Sequence, residues 1–541
     1  MKKKYLILFL IIILAAFLRL WQLDVNPPGV HADEADSGYN AYSILKTGKD
    51  MYGNFLPIQI TGFAQNYRAP LSTYLTIPFV AAFGLSPFVV RLPTAIFGTL
   101  LLLLIFFLVK ILFKSEKLAL ITAFLVAVNP WAVHISRAYA DHILALDFML
   151  LGLIFFLKKE RTLFYFLSGL FFGLSLFSYH APKVFLPFFI PLLILIFWKD
   201  LSKKKANLLV FLAVFILFFS FVLKLSFFDK GAQEFNNVSA FNSRVAKDIV
   251  DKERRVTFAP LKISSIFHSK PLFFIKEFSR NYGRAVSINY LYLDGESNLT
   301  AWVGDRGLFY PIELPFFLIG IYSLFAKKKK TALFLLGWLI TSVIPGAIAV
   351  DQMYTYRNIY LLPVILIFTS YGLLTAYKFF SARRRLVFYF VGFIGIFFTI
   401  SIISYFYHYF YDYPFYSRSW WAAPDHEAID YIITNKGKYN LVYINGGINW
   451  LLLFAFDTKL DPSLFQYTLS HPAKKNGSNF FKVDNIIFEN FFFKKDDVPA
   501  KIFPKNSLYS GKANDFPLEE PVHRIISKDD WGTIYKMFEI K

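Results

Sequence analysis

The chain has 541 residues, 56% of them hydrophobic, with 58 Lys and Arg against 37 Asp and Glu, a formal net charge of +21 and no cysteine. That apolar content excludes a soluble globule, and the missing thiols exclude disulfides and thiolate metal sites. The charge does not point to nucleic acid, because no binding motif accompanies it and much of the Lys and Arg sits in short segments between apolar runs.

Lys2-Lys3-Lys4 precede an apolar run over about 5–23. It lacks a small-x-small cleavage site and reads as an uncleaved anchor. Further runs long enough for spans follow at about 88–110, 118–134, 143–157, 162–179, 184–198, 207–228, 308–326, 331–349, 358–378 and 386–406. Basic clusters punctuate them: Lys110, Lys114 and Lys117; Lys158, Lys159 and Arg161; Lys199 with Lys203 to Lys205; Lys327 to Lys330; Lys378 with Arg383 to Arg385. Basic residues stay cytoplasmic. The expected protein is therefore a polytopic α-helical one of the cell membrane, with about 11 transmembrane helices, a cytoplasmic N-terminus and an extracytoplasmic C-terminus.

This topology sends the remaining polar segments to the outer face. The first outer loop, about 24–87, holds Asp33, Glu34 and Asp36, and a stretch from Leu71 to Phe83 that is short for a span and suits the interface. Short loops carry Asn129-Pro130-Trp131 with His134, Arg137 and Asp141, then Tyr179-His180-Ala181-Pro182-Lys183, then Asp351 and Arg357. A longer loop runs over about 229–307. Residues 1–406 are expected to form the membrane domain. From 407 to 541 the composition is mixed, with a helical pattern over Asp425–Asn435 and a strand over Tyr439–Asn445 ending at Gly446-Gly447. A small extracytoplasmic α/β domain is expected there.

Three carboxylates as close as Asp33, Glu34 and Asp36 repel unless a cation, a proton or a hydroxyl substrate compensates them. The outer face also carries Arg68, Arg91, His134, Arg137, Lys183 and Arg357. Arg and Lys at a membrane surface suit a phosphate, which takes strong charge-assisted bonds, and a separate carboxylate suits proton removal from a hydroxyl. Together they describe transfer of a group from a lipid phosphate to an acceptor. Plainer roles exist for the same residues. Asp33 and Glu34 also suit the first turn of a helix, Arg68 and Arg91 could snorkel to headgroups, His134 and Arg137 could serve packing, and Lys183 could anchor at the interface. Asp33, Glu34 and Asp141 offer oxygen ligands for Mg²⁺, Ca²⁺ or Mn²⁺, and His134 could join a Zn²⁺ site, so a divalent cation stays open. Asn237-Val238-Ser239, Asn298-Leu299-Thr300 and Asn476-Gly477-Ser478 match a glycosylation pattern too common to weigh.

The order of these segments resembles the lipid-phosphate-dependent glycosyltransferases of the protein O-mannosyltransferase and aminoarabinose transferase kind (glycosyltransferase family 39, the membrane-embedded GT-C fold). That family carries an Asp-Glu pair in its first outer loop, here Asp33-Glu34 followed by Gly38-Tyr39-Asn40-Ala41. Arg68-Ala69-Pro70-Leu71 stands where many bacterial members have a Lys-Pro-Pro-Leu-like segment. Arg91-Leu92-Pro93-Thr94-Ala95 is similar to the stretch opening the second span. Asn129-Pro130, Arg137 and Asp141 resemble the third outer turn, 179–183 another family loop, and Arg357-Asn358 with Leu361-Leu362-Pro363 the late Arg and Leu-Pro element. Asp36 lies where the aminoarabinose branch tends to have Arg, a departure that bears on the donor and acceptor.

The resemblance implies a polyprenyl-phosphate-linked sugar donor, a protein, lipid or glycan acceptor, and inverting transfer at the outer leaflet. Asp33 would be the general base, with Glu34 orienting the acceptor or holding a cation. Arg68, Arg137, Lys183 and Arg357 would receive the donor phosphate, supported by His134, Asp141 and Asp36. Two other readings remain. An oligosaccharyltransferase or glycan ligase would carry Trp-Trp-Asp in a large C-terminal domain, whereas Trp420-Trp421 is followed here by Ala422. A non-catalytic flippase or transporter would carry its charges near the bilayer midplane rather than in outer loops.

Overall fold

The computed structural model describes residues 2–63, 67–139, 141–158, 161–227, 244–349, 354–475, 478–491, 498–516, 519–526 and 533–540. Lys159, Asp351 and the glycosylation-pattern residues Asn237 and Asn476 lie outside them. The chain divides into two compact units, one of Met1–Trp21 with Thr94–Phe406 and one of Gln22–Pro93 with Tyr407–Lys541. The first outer loop thus groups with the C-terminal chain.

The first unit is helical because lipid offers no partner to an unpaired backbone group. Each of the eleven apolar stretches contains a helix. In chain order the first ones are α1 (Lys2–Leu20), α2 (Ala32–Thr47), α3 (Pro70–Phe83), α4 (Pro87–Phe113), α5 (Glu116–Val128), α6 (Pro130–Ile135), α7 (Asp141–Lys158), α8 (Thr162–Leu176), α9 (Ala181–Leu201) and α10 (Lys205–Phe227). Of these α2, α3 and the start of α4 up to Pro93 belong to the second unit. The later apolar helices are Leu314–Lys327, Lys329–Ser342, Leu361–Ser381 and Arg384–Tyr407. Six helices among the described residues are long and apolar enough to cross a membrane. Others are shorter: α5 has 13 residues and Leu314–Lys327 has 14. At 1.5 Å per residue these reach only about 20 Å of a ~30 Å core. The sequence stretch 118–134 is shortened because Pro130 has no N–H and the helix restarts there. Asn129 caps α6 by accepting from the Ala132 amide at 2.9 Å. Leu314–Lys327 and Leu361–Ser381 pack closely through Gly320 and Gly372, where an added Cβ would collide with the Phe368 and Phe316 carbonyls.

In the second unit, β1 (Ile60–Thr61) pairs antiparallel with β2 (Tyr67–Arg68), and α3 packs on α2. Beyond Tyr407 the helix Ala423–Asn435 covers the expected 425–435 pattern, and β3 (Leu441–Asn445) lies in the expected strand. The sheet also contains β4 (Ala473–Lys475), β5 (Ser478–Val483), β6 (Ile486–Glu489), β7 (Ser507–Lys512), β8 (His523–Ile526) and β9 (Thr533–Ile540). Its order is β4-β5-β6-β3-β7-β9-β8, with β6, β3 and β7 parallel and the outer pairs antiparallel. Val442, Ile444, Ile486, Phe488 and Leu508 are buried in that central trio, as parallel strands require. Gly447, at φ +55°, turns β3 into the helix Gly447–Thr458.

Candidate active site

The acidic cluster opens α2. His31 caps the helix, its Nδ1 accepting from the Asp33 amide at 3.2 Å, and Asp33 and Glu34 occupy the first turn, where negative charge is favourable. Residues three apart share a helix face, so Asp33 and Asp36 point together while Glu34 points elsewhere. This separates the three carboxylates into two environments.

On the first face both aspartates meet Arg68. Its guanidinium pairs with Asp33, and its Nε lies 2.7 Å from Asp36 Oδ2. Asp36 is wholly buried and also accepts from Asn40 Nδ2 at 2.7 Å and from the Phe63 amide at 3.3 Å. Burial and the Asp33 charge outweigh the attraction of Arg68 and push Asp36 up to about 6. Asp33 differs: its side chain is 54% exposed. Burial of its surroundings raises its carboxyl, but Arg68 and His31 outweigh that and hold it below the usual carboxylate range. Arg68 lies on β2, which pairs with β1, and the segment leading into β1 is organised by Asp50, which accepts from the Thr61 amide at 3.4 Å. That carboxylate accepts from the Tyr52 and Asn54 amides at 3.0 and 2.9 Å. Pro70 then starts α3, which ends the hairpin.

On the second face Glu34 is buried and paired bidentately with Arg91, at 2.9 Å to Nε and 2.7 Å to Nη2. Arg91 also donates to the carbonyls of Leu23 (3.1 Å), Pro27 (2.9 Å) and Gly29 (2.6 Å). All five guanidinium N–H groups are thereby engaged. Trp421 lies 5.7 Å from this guanidinium. The sequence reading of Arg91 as a headgroup anchor is corrected, because the residue is fully buried and ties the turn before α2 to Glu34. An acceptor or cation could reach Glu34 only by displacing Arg91.

The other candidates lie in the first unit. His134 Nε2 donates to the Thr300 carbonyl at 3.3 Å, and the Tyr356 hydroxyl donates to the same oxygen at 2.5 Å. His142, next to Asp141, packs on Tyr356 with the rings tilted and centroids 4.5 Å apart, and meets Tyr179 edge-on at 5.7 Å. Lys183 Nζ lies 3.4 Å from His180 Nδ1 and 3.3 Å from Ser226 Oγ. Through Tyr356, which precedes Arg357, and Tyr179, which packs on His180, these contacts link the segments that bear His134, Asp141, Lys183 and Arg357 at one end of the helix bundle. Arg137 is buried beside them in sequence and donates to the Leu18 carbonyl at 2.9 Å. Among the described residues no group of three or more His, Asp or Glu side chains is placed to hold a metal ion.

Sequence reasoning missed three contributors. His142 was hidden by an apolar run. Glu296 accepts from the Thr355 amide at 2.9 Å and so holds the segment bearing Arg357, though no local motif marks it. His426, from the C-terminal chain, contacts Val30 beside the α2 cap. Only long-range packing reveals the last two.

A family model described as dolichyl-phosphate-mannose-protein mannosyltransferase matches residues 67–223. None of the curated proteins matches the chain significantly. Among solved structures, ArnT from Cupriavidus metallidurans bound to undecaprenyl phosphate is similar with a TM-score of 0.55 and 13% identity, covering 98% of this chain and 97% of that one. Its apo state gives 0.52 and 11% over the same shares. The apo oligosaccharyltransferase of Archaeoglobus fulgidus gives 0.50 and 15%, covering 84% of this chain and 64% of that one, so the chain spans under two thirds of its length. At such identities the likeness is one of fold. The protein is a polytopic helical membrane protein of the GT-C fold with a C-terminal sheet domain, and its 67–223 segment carries the mannosyltransferase family's sequence pattern.

Proposed function

We propose that the protein is a glycosyltransferase that moves a sugar from a polyprenyl-phosphate-linked donor to an acceptor hydroxyl at the outer face of the membrane. Support comes from the GT-C fold, the family match and the undecaprenyl phosphate bound by ArnT. The single observation that carries the reading is a half-exposed carboxylate, Asp33, held beside a cation, Arg68, whose other partner Asp36 is buried.

In this mechanism the acceptor oxygen attacks the anomeric carbon, the carbon–oxygen bond to the lipid phosphate breaks, and the acceptor proton passes to Asp33. One displacement inverts the anomeric configuration. An ion-paired carboxylate is a weak base, so proton transfer comes late, as the attacking oxygen becomes positive. A donor phosphate competing for Arg68 would loosen the Asp33 pair and strengthen the base once the donor is in place. Arg137, Lys183 and Arg357 would take up the negative charge of the leaving phosphate, with His134 and Asp141 holding that end of the bundle. Glu34 acts as a positioning residue through Arg91. The proposed topology keeps the N-terminus cytoplasmic, crosses eleven times and leaves residues 407–541 outside.

The test is mass spectrometry of surface proteins, lipids and polymers from cells with and without the gene, followed by transfer from purified polyprenyl-phosphate sugars of defined pentose or hexose. Asp33→Asn keeps size but removes the base and is expected to cost about 10²–10⁴ in rate. Near-normal transfer by that variant removes Asp33 from the mechanism. Transfer of a preassembled oligosaccharide in place of a monosaccharide would favour the ligase reading, and lipid movement with no transfer would favour a flippase.

A further inference from the structure

The C-terminal chain grips α2 along its length. Gln466 Nε2 donates to Ser43 Oγ (3.1 Å), Thr47 Oγ1 (3.2 Å) and the Asp50 carbonyl (3.0 Å) at the far end. The Tyr39 hydroxyl donates to the Leu460 carbonyl at 2.8 Å, and the Tyr39 ring packs on Phe465. At the end bearing Asp33 the grip is ionic. His426 Nδ1 lies 2.7 Å from Asp457 Oδ2. Its Nε2 lies 3.0 Å from the Val30 carbonyl and 3.2 Å from the Val30 amide. Val30 immediately precedes His31, the cap of the helix and the nearest neighbour of Asp33 after Arg68.

From this geometry we infer that the His426–Asp457 couple is a positioning device of the C-terminal domain, which sets the Val30–His31 turn and through it the aim of Asp33. The imidazole nitrogen facing Val30 has two options. When protonated it donates to the carbonyl, and when neutral, with the proton on Nδ1 toward Asp457, it accepts from the amide. The charged form makes the stronger contact on both sides. The groups facing His426 are Asp457 from the helix Gly447–Thr458, Asp425 and Asp430 from its own helix, and His31 from the α2 cap through Asp425. Burial lowers the imidazole, but Asp457, the Val30 carbonyl and Asp425 outweigh it, so the ring stays protonated to higher pH than an ordinary histidine. The grip is therefore fullest at low pH and weakens as pH rises through that raised value.

The consequence for turnover rests on the proposed role of Asp33, whereas the grip itself is measurable without substrate. Hydrogen–deuterium exchange over residues 28–36 of the full chain in detergent, corrected for intrinsic rates, should accelerate as pH rises through the raised value of His426. His426→Asn should accelerate it by roughly tenfold or more at low pH, the effect of losing a charged hydrogen bond, and by less at high pH where the wild-type ring is neutral, with Leu361–Ser381 unchanged as the folding control. Asp457→Asn should move the pH-dependent limb downward, and His426→Gln, which can still donate to Val30, should restore part of the protection. With polyprenyl-phosphate sugar, His426→Asn should lower kcat with little change in donor KM. Unchanged exchange over 28–36 in His426→Asn, or an unshifted pH limb in Asp457→Asn, overturns the inference. Altered exchange with unaltered transfer leaves the grip intact and instead tells against Asp33 as the base.

Discussion

Replacing Glu34 by Gln separates structural from catalytic carboxylates in this helix. The change keeps the shape of the side chain but leaves the Arg91 guanidinium buried without its counter-charge and sets an amide NH₂ against one of its donors. Both Glu34–Arg91 contacts are short, at 2.9 and 2.7 Å, and both side chains are all but inaccessible. Breaking a buried pair from one side costs about 3–5 kcal/mol. That is roughly two to nearly four powers of ten in the folded-to-unfolded ratio. Asp33→Asn should instead cost at most about 1 kcal/mol, because Asp33 is half exposed and Arg68 keeps Asp36. The assay is unfolding by titration with SDS from mild detergent, read by tryptophan fluorescence, with thermal melting as a second readout. Glu34→Gln should unfold at clearly lower SDS fraction than wild type and Asp33→Asn close to it. In Glu34→Gln/Arg91→Met the loss should fall short of the summed single losses, because the second change removes the stranded charge. A Glu34→Gln protein that is inactive yet as stable as wild type would refute the structural role and return Glu34 to the reacting groups.

Asp36, raised to about 6 from 3.8, makes the folded protein bind a proton that the unfolded chain releases earlier. Its contribution to stability is complete below about 3.8 and is lost as pH rises through about 6, so melting of wild type relative to Asp36→Asn should fall across that window; parallel curves would contradict the burial argument. Arg68→Ala and Lys183→Ala should each raise donor KM roughly tenfold to 150-fold, the worth of a charged contact; unchanged donor kinetics would leave Arg68 a structural partner of Asp33 and Asp36 only and Lys183 an ordinary interface cation. Arg137→Ala should also destabilise, because its guanidinium is buried against the Leu18 carbonyl. Single cysteines introduced at Lys2 and Lys541 into this cysteine-free chain should label from the inner and outer sides respectively. Labelling of position 541 only after the inner leaflet is breached would end the eleven-span topology.

Hydropathy and the basic clusters made the helices legible from sequence, because in lipid a long apolar run has almost no conformation open to it but a helix. Local chemistry likewise exposed the break at Asn129-Pro130, the helical pattern over 425–435 and the strand leading to Gly446-Gly447. The polar residues could be recognised as a group, since charges beside spans are rare and costly. Their division of labour could not. Asp33, Glu34 and Asp36 are chemically near-equivalent in a string of letters. What separates them is the helical rotation that turns Asp33 and Asp36 toward Arg68 and Glu34 toward Arg91. Burial then leaves Asp33 the half-exposed member. Likewise nothing near residue 30 announces His426 or Asp457, nearly four hundred residues or more away, and nothing near Arg357 announces Glu296. Sequence alone determines which segments can lie in a membrane, because that depends on local polarity. Which acid is exposed, which arginine is structural and what holds the site in place depend on contacts between distant segments, and only the tertiary structure decides them.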